Sequence, residues 1–190
     1  LVYFNDKSSV PTYEHCDPTH LNGVHVLDEE SALFFNGMDA GDLLVSTRNN
    51  HTLAVIDRNT KLVKWVSTGA TLLQHSPIFS KDGNIIAFDN LGGDKEFGGS
   101  RIVSLDPNKN RIKTIFPTKN TSPAFNFFTH NSGHLEIHPV KTRALVSLTR
   151  QGRIVEVDMA SGEAIWEYVN THNLDSDFLT QKNIKSGTVF

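Results

Sequence analysis

The sequence predicts an all-β fold, a β-propeller portion of about three four-stranded blades. Three segments repeat one pattern, in which an apolar strand, a polar turn, a strand ending in aspartate and a third strand follow each other. The strand-ending aspartates Asp57, Asp106 and Asp158 lie about 50 residues apart, and Trp65 and Trp166 follow two of them at the same distance. This period is typical of propellers, because one blade cannot bury both of its faces alone.

The remaining strand of each blade should precede the other three. Three segments supply it, at residues 20–28, 74–80 and 127–138. The blades are then predicted at about 20–68, 74–117 and 127–170. Short apolar runs between the polar turns DRNTK, DPNKN and DMASGE favour strands over helices. Residues 28–40 are predicted to form one short helical turn, inserted in the first blade.

The whole chain, residues 1–190, is interpreted as a single propeller portion. Propellers usually close with roughly 4 to 8 blades, so three blades would leave unpaired edges and apolar faces. Residues 1–19 and 171–190 are therefore expected to be segments that connect to further blades. Those blades would come from a longer form of the chain or from a second copy in a homo-oligomer.

Charge and composition exclude several classes of function. The net charge is −3 and Lys and Arg do not cluster, so nucleic acid is not an indicated partner. No apolar run approaches the roughly 18 residues of a membrane-spanning helix. The loop LGGDKEFGGS lacks the Gly-Lys-Ser/Thr ending of a phosphate-binding loop. His130, His134 and His138 would lie ~13 Å apart on a strand, too far for one metal ion.

Histidines recur where each blade begins. In a propeller the first strand of a blade lines the central channel, so His20, His75 and either His130 or His134 are predicted near one rim. Strand alternation would place His20 and Asn22 on the same face, roughly 7 Å apart along the strand. Arg48 follows the second strand of the first blade and should lie beside the same rim. The predicted site is therefore a cluster of imidazoles, one amide and one guanidinium.

Three short motifs carry a resemblance to a known family, and they occur in the family's order. They are His20-Leu21-Asn22, Ser46-Thr47-Arg48-Asn49 and Gln74-His75. With the surrounding strands at residues 17–170, the sequence resembles the C-terminal part of the arylsulfotransferases, the β-propeller enzymes that work without the nucleotide sulfate donor PAPS. The resemblance implies a six-bladed propeller, of which this chain would contribute three blades.

The resemblance also implies an activity and its residues. These enzymes transfer a sulfuryl group from a phenolic sulfate ester to a phenol through a sulfated histidine, and the nucleophile falls on His75. His20 and Arg48 would complete the catalytic set, and Asn22, Asn49 and Gln74 would bind substrate. The implied partners are an aryl sulfate donor and a phenolic acceptor, no cofactor or metal is required, and the location would be periplasmic or secreted.

The residue types suit this chemistry independently of the family. Imidazole has an unperturbed pKa of about 6.5 and is a neutral nucleophile near pH 7. A covalent intermediate divides the transfer into two displacements. The planar guanidinium of arginine, with the donors of an amide and a second histidine, can bind the charged sulfuryl oxygens. A histidine can also protonate the departing phenolate.

Two other classes remain open from the sequence. The family commonly has aspartate after the nucleophile, where this chain has Ser76, which is compatible with a non-catalytic propeller that binds a ligand or a protein. The recurrent tryptophans are compatible with a quinone-dependent dehydrogenase propeller, although the acidic cluster of its calcium site is not found. Labelling of His75 by a sulfate donor and an absorbance scan for quinone would discriminate these alternatives.

Overall fold

The computed structural model describes residues 17–170, which form three four-stranded antiparallel sheets. Each sheet is a meander of four consecutive strands, so the predicted all-β fold with three blades is confirmed. The first blade contains β1 (Leu21–Val26), β2 (Leu43–Thr47), β3 (Thr52–Ile56) and β4 (Val63–Thr68). The second contains β5 (His75–Phe79), β6 (Ile85–Asp89), β7 (Arg101–Asp106) and β8 (Arg111–Phe116). The third contains β9 (His134–Ile137), β10 (Arg143–Leu148), β11 (Arg153–Asp158) and β12 (Glu163–Val169).

The repeated aspartates have one structural role in all three blades. Each ends or directly follows the third strand and accepts hydrogen bonds from the backbone N–H groups two and three residues later. Asp57 Oδ1 lies 2.8 Å from both donors, Asp106 Oδ1 3.0 and 3.1 Å, and Asp158 Oδ1 2.9 and 3.0 Å. These Asx turns reverse the chain into the fourth strand. The repeat that revealed the blades is therefore a turn signal.

The helical turn predicted within residues 28–40 is confirmed as α1 (Glu29–Ala32). Asp28 caps it by accepting a hydrogen bond from Ser31 N. Three short 3-10 helices lie at Lys95–Phe97, Pro123–Phe125 and Thr149–Gln151. No helix within residues 17–170 has the length and hydropathy needed to cross a membrane.

The blades stack through their inner strands, and the second blade is central. One apolar cluster joins the first and second blades, and another joins the second and third. All five residues of β6 are buried, since one cluster covers each of its faces. β1 and β5 approach closely at Gly23, where a Cβ atom would lie only 2.5 Å from Cδ of Pro77.

The first and third blades each keep one face open within the described part of the chain. On the first blade, Val24, Val45, Ala54 and Val66 pair across the four strands on the face opposite the core. Val24 is 56% and Val66 57% exposed. The expectation of further blades, which would cover such faces, stays a prediction, as do the domain limits and the six-bladed total. Nearly all of the predicted connecting segments 1–19 and 171–190 lie outside the described residues.

The third blade differs from its prediction in one respect. Only His134–Ile137 of the predicted 127–138 segment forms a strand, and the residues before it run as a loop with Phe127 and Thr129 buried. His130 lies in this loop and is exposed. His134 therefore occupies the place at the strand start that His75 occupies in the second blade.

Candidate active site

The predicted site residues meet where the first blade packs against the second. Arg48 donates from its backbone N–H to the carbonyl of His20 at 3.0 Å, which extends the pairing of β1 with β2 to the rim. Asn22 donates from Nδ2 to the carbonyl of Gln74 at 2.8 Å, across the two blades. His75 begins β5 immediately after that carbonyl. The fold thus gathers side chains that are distant in sequence.

The expected alternation of His20 and Asn22 does not hold. His20 precedes β1 with a φ of 50°, and the pairing of β1 with β2 shifts between Leu21 and Gly23. The regular pleat on which the 7 Å estimate depended is therefore absent at these residues. The backbone contact between Arg48 and His20, and not strand alternation, places His20 at the rim.

His75 is half-buried and one of its ring nitrogens is held by the protein. Nδ1 lies 2.7 Å from Oδ1 of Asn90 and 3.0 Å from the carbonyl of Leu73. Burial lowers the pKa of His75, and the nearby charges of Arg48 and His20 act in the same direction, against the two hydrogen bonds. Such an environment favours the neutral imidazole, the form that can act as a nucleophile.

Asp17 orients His20. Its carboxylate accepts one hydrogen bond from the backbone N–H of His20 at 2.8 Å, and its second oxygen lies 2.5 Å from Nδ1 of the same ring. The imidazole is 42% exposed. A histidine held by a carboxylate at Nδ1 presents Nε2 to its surroundings, as an acid–base group requires.

Two buried side-chain atoms have no hydrogen-bond partner within residues 17–170, and both belong to predicted site residues. They are Nε of Arg48, a donor, and Oδ1 of Asn22, an acceptor. A buried polar atom without a partner costs free energy, on the order of 1–3 kcal/mol, and such atoms are rare. Both atoms belong to residues that lie near His75 or near the peptide bond before it.

Asn49 and Gln74, predicted to bind substrate, differ in availability. Asn49 is half-buried and makes two long contacts, with Arg48 Nη1 at 3.5 Å and with the carbonyl of Asp17 at 3.4 Å. Gln74 is fully buried: its Oε1 accepts from Thr71, and its Nε2 lies within 3.3 Å of three oxygens of the first blade. The structure therefore favours a positioning role for Gln74 over the predicted substrate contact.

Ser76 connects β5 to the third blade. Its hydroxyl accepts a hydrogen bond from Leu135 N at 3.2 Å and lies 3.1 Å from Nδ1 of His134. Ser76 has a φ of 48°, uncommon for a residue other than glycine, and the pairing of β5 with β6 shifts between His75 and Ile78. This irregularity directs Ser76 towards β9, away from the regular pleat.

A buried ion pair fixes the loop that leads to His75. Asp89 is fully buried and accepts from Leu72 N at 2.8 Å, while Arg101 Nε lies 2.8 Å from its other oxygen. Arg101 also donates to the carbonyl of Ala70 at 3.0 Å. The pair therefore ties the backbone at residues 70–72 to β6 and β7, only a few residues before the nucleophile candidate.

Sequence reasoning missed Asp17, Asn90 and the pair of Asp89 with Arg101. One signal was available for Asn90: it directly follows the second strand of its blade, as Arg48 does in the first blade. Within residues 17–170 no group of three or more His, Cys, Asp or Glu side chains is arranged to hold a metal ion.

The fold and the site define a class of protein: stacked propeller blades with a histidine and arginine site at the rim between two of them. The sequence of residues 4–171 matches the Arylsulfotransferase (ASST) family, and the chain belongs to that family. The predicted resemblance is confirmed. No curated protein matches the chain.

Two solved structures resemble the fold distantly. Apo AztD from Citrobacter koseri has a TM-score of 0.45 and 11% identity over 72% of this chain and 34% of its own. Glutaminyl cyclase from Myxococcus xanthus has a TM-score of 0.43 and 10% identity over 79% of this chain and 56% of its own. The chain thus spans about a third of the first protein and about half of the second.

Proposed function

We propose that this protein transfers a sulfuryl group from an aryl sulfate donor to a phenolic acceptor through a sulfated His75. Membership of the Arylsulfotransferase family supports the class of reaction. The observation that carries the assignment of the site is the unpaired, buried Nε of Arg48 close to a half-buried histidine. A donor in that position lacks an anionic partner, and a sulfuryl oxygen supplies one.

In the first step the free ring nitrogen of His75 attacks sulfur and the bond between sulfur and the phenolic oxygen breaks. His20, held by Asp17, protonates the departing phenolate from its exposed edge. Arg48 and the second Nδ2 hydrogen of Asn22 donate to the sulfuryl oxygens, which carry negative charge throughout the transfer. The products are a phenol and a sulfated His75.

In the second step the acceptor phenol gives its proton to His20 and attacks the sulfur. The bond between sulfur and the ring nitrogen of His75 breaks, which restores the histidine and releases the new aryl sulfate. Oδ1 of Asn22 is an acceptor, so it cannot bind a sulfuryl oxygen. No diffusible cofactor takes part in this scheme.

The test is intact mass spectrometry after incubation with p-nitrophenyl sulfate, without an acceptor. We expect one added SO₃ group on the protein, lost when a phenol is added. His75→Asn should abolish the adduct, and the matched control His138→Asn, at the far end of β9, should retain it. An adduct that persists in His75→Asn refutes the assignment. Binding without any adduct would instead favour a non-catalytic propeller.

We also propose a periplasmic or secreted location, on family membership alone.

A further inference from the structure

Asn90 is buried between the second and third blades and contacts His75 directly. It follows β6, and its side chain is fully inaccessible to solvent. Oδ1 lies 2.7 Å from Nδ1 of His75, while Nδ2 lies 2.9 Å from the carbonyl of Thr129 and 2.7 Å from that of Ser132. The amide thus uses both of its ends, one towards each blade.

The hydrogen-bond partners of Asn90 allow only one orientation of its side-chain amide. A carbonyl oxygen accepts hydrogen bonds and cannot donate, so the atom that faces Thr129 and Ser132 must be the NH₂ group. The atom that faces His75 is then the amide oxygen, also an acceptor. The carbonyl of Leu73, at 3.0 Å from the same ring nitrogen, is a further acceptor. Nδ1 of His75 must therefore carry a hydrogen, and in the neutral ring the lone pair is on Nε2.

The backbone around this contact is fixed as well. Ser100 Oγ donates to the carbonyl of Asn90 at 2.8 Å and accepts from Thr129 N at 2.9 Å. All three residues are fully buried. The amide is therefore held on both sides, so its position relative to the imidazole depends on the docking of the third blade and not on a mobile side chain.

We propose that Asn90 is a positioning residue that selects Nε2 of His75 as the reacting atom and holds the ring in place. The catalytic meaning of this role rests on the proposed function, whereas the tautomer does not. An amide also differs from a carboxylate in adding no negative charge beside the ring, so the imidazole stays neutral while it is held. Polar groups that orient a reacting histidine act in this way in other sites.

The first experiment measures the tautomer directly. Ring nitrogen and carbon chemical shifts of ¹⁵N- and ¹³C-labelled histidine distinguish the two neutral tautomers, and His75→Asn assigns the signal. We expect the Nδ1–H form for His75 above its pKa. Observation of the Nε2–H form in the parent protein overturns the proposal, whether or not the protein transfers sulfate.

Variants then test the role of the amide. Asn90→Leu keeps the branched shape of the side chain and removes both polar ends, so we expect the rate of adduct formation to fall about five- to tenfold, as loss of one hydrogen bond does. Val146→Ala, in the same apolar cluster but without polar contact to His75, is the matched control for loosened packing. An unchanged rate in a folded Asn90→Leu protein contradicts the proposal, as does an equal loss in both variants.

Asn90→Asp changes the titration of His75, a property that would not change if Asn90 had only a structural role. The charges that face His75 are Arg48 and His20 from the first blade, and His134 lies beside Ser76 from the third. A carboxylate at position 90 would raise the titration midpoint of the ring, followed by the same chemical shifts. In a folded variant whose new carboxyl is ionised, as its own ¹³C chemical shift reports, an unchanged midpoint refutes the contact. If His75 has the Nδ1–H tautomer but no sulfuryl adduct forms, the inference about Asn90 is retained and the proposed function is rejected.

Discussion

Asn22 of the first blade donates a hydrogen bond from Nδ2 to the backbone carbonyl of Gln74, at 2.8 Å, and Gln74 immediately precedes His75. Ser46 Oγ approaches the same carbonyl at 3.5 Å. The peptide bond that leads to the proposed nucleophile is therefore held by the neighbouring blade. Oδ1 of the same Asn22 side chain has no hydrogen-bond partner within residues 17–170.

Arg48→Lys should lower the rate of adduct formation with little effect on stability. Lysine keeps the positive charge but lacks the Nε donor that is buried without a partner. By comparison with the removal of a donor from other anion-stabilising sites, we expect a loss on the order of 10²-fold. Stopped-flow or quenched mass spectrometry would measure the rate, and thermal melting the stability. Arg111→Lys, at an exposed position of β8, is the control and should behave as the parent. Equal rates in Arg48→Lys and Arg111→Lys would show that the reaction does not use the Nε donor of Arg48.

The pH dependence of adduct formation should show a titration midpoint below the ordinary value for histidine. Burial, Arg48 and His20 lower the pKa of His75, so the neutral, reactive ring persists to more acidic pH than a free imidazole does. On the acidic side of the profile, the rate should fall as pH drops through this lowered pKa. Arg48→Met removes one of the causes and should move the midpoint upward. A parent midpoint above 6.5, the ordinary pKa of histidine, would contradict the prediction.

Arg101→Met should strongly destabilise the protein. Asp89 would remain fully buried without its guanidinium partner, and removal of one member of a buried pair costs about 3–5 kcal/mol. Urea denaturation followed by tryptophan fluorescence measures this loss. The exposed pair of Lys109 with Asp106 provides the control, because Lys109→Met should cost no more than about 1 kcal/mol. Similar losses for the two variants would show that Asp89 is not buried in solution.

Ser76→Asp should be tolerated, although it changes the residue beside the proposed nucleophile. Aspartate adopts a positive φ more readily than most residues, and its oxygen can accept the hydrogen bond from Leu135 N that Ser76 accepts now. We expect an unchanged or higher melting temperature and an adduct that stays on His75. Ser76→Val places a β-branched residue in the same backbone conformation and should lose about 1–3 kcal/mol. A collapse of Ser76→Asp with a stable Ser76→Val would contradict this account.

The blades were predictable because their signals are local. Each aspartate turn is determined by four or five consecutive residues, and the spacing between turns predicts the blade repeat. The rim location of His75 and Arg48 followed from the same reasoning, since the ends of strands in successive blades share one edge. The turns depend on hydrogen bonds between residues close in sequence, so their residue pattern predicts them directly.

The site's supporting contacts were not predictable, because their partners are distant in sequence or depend on irregular backbone. The carbonyls that bind Asn90 come 39 and 42 residues later, from a segment expected to be a strand. The positive φ of His20 follows a carboxylate cap by Asp17 that no periodicity indicates. Gln74 looked available in the sequence, and only the packing of the first blade reveals that its amide is used internally.

The site is shared between successive repeats, and this arrangement constrains how such a propeller can evolve. His20 and Arg48 come from one blade, His75 from the next, and the carbonyls that orient Asn90 from the one after. Duplication of a single blade would copy only a fraction of the site and yield a scaffold unit. An extra blade inserted among these three would separate the groups. The order of these three repeats is thus the heritable unit of the proposed activity.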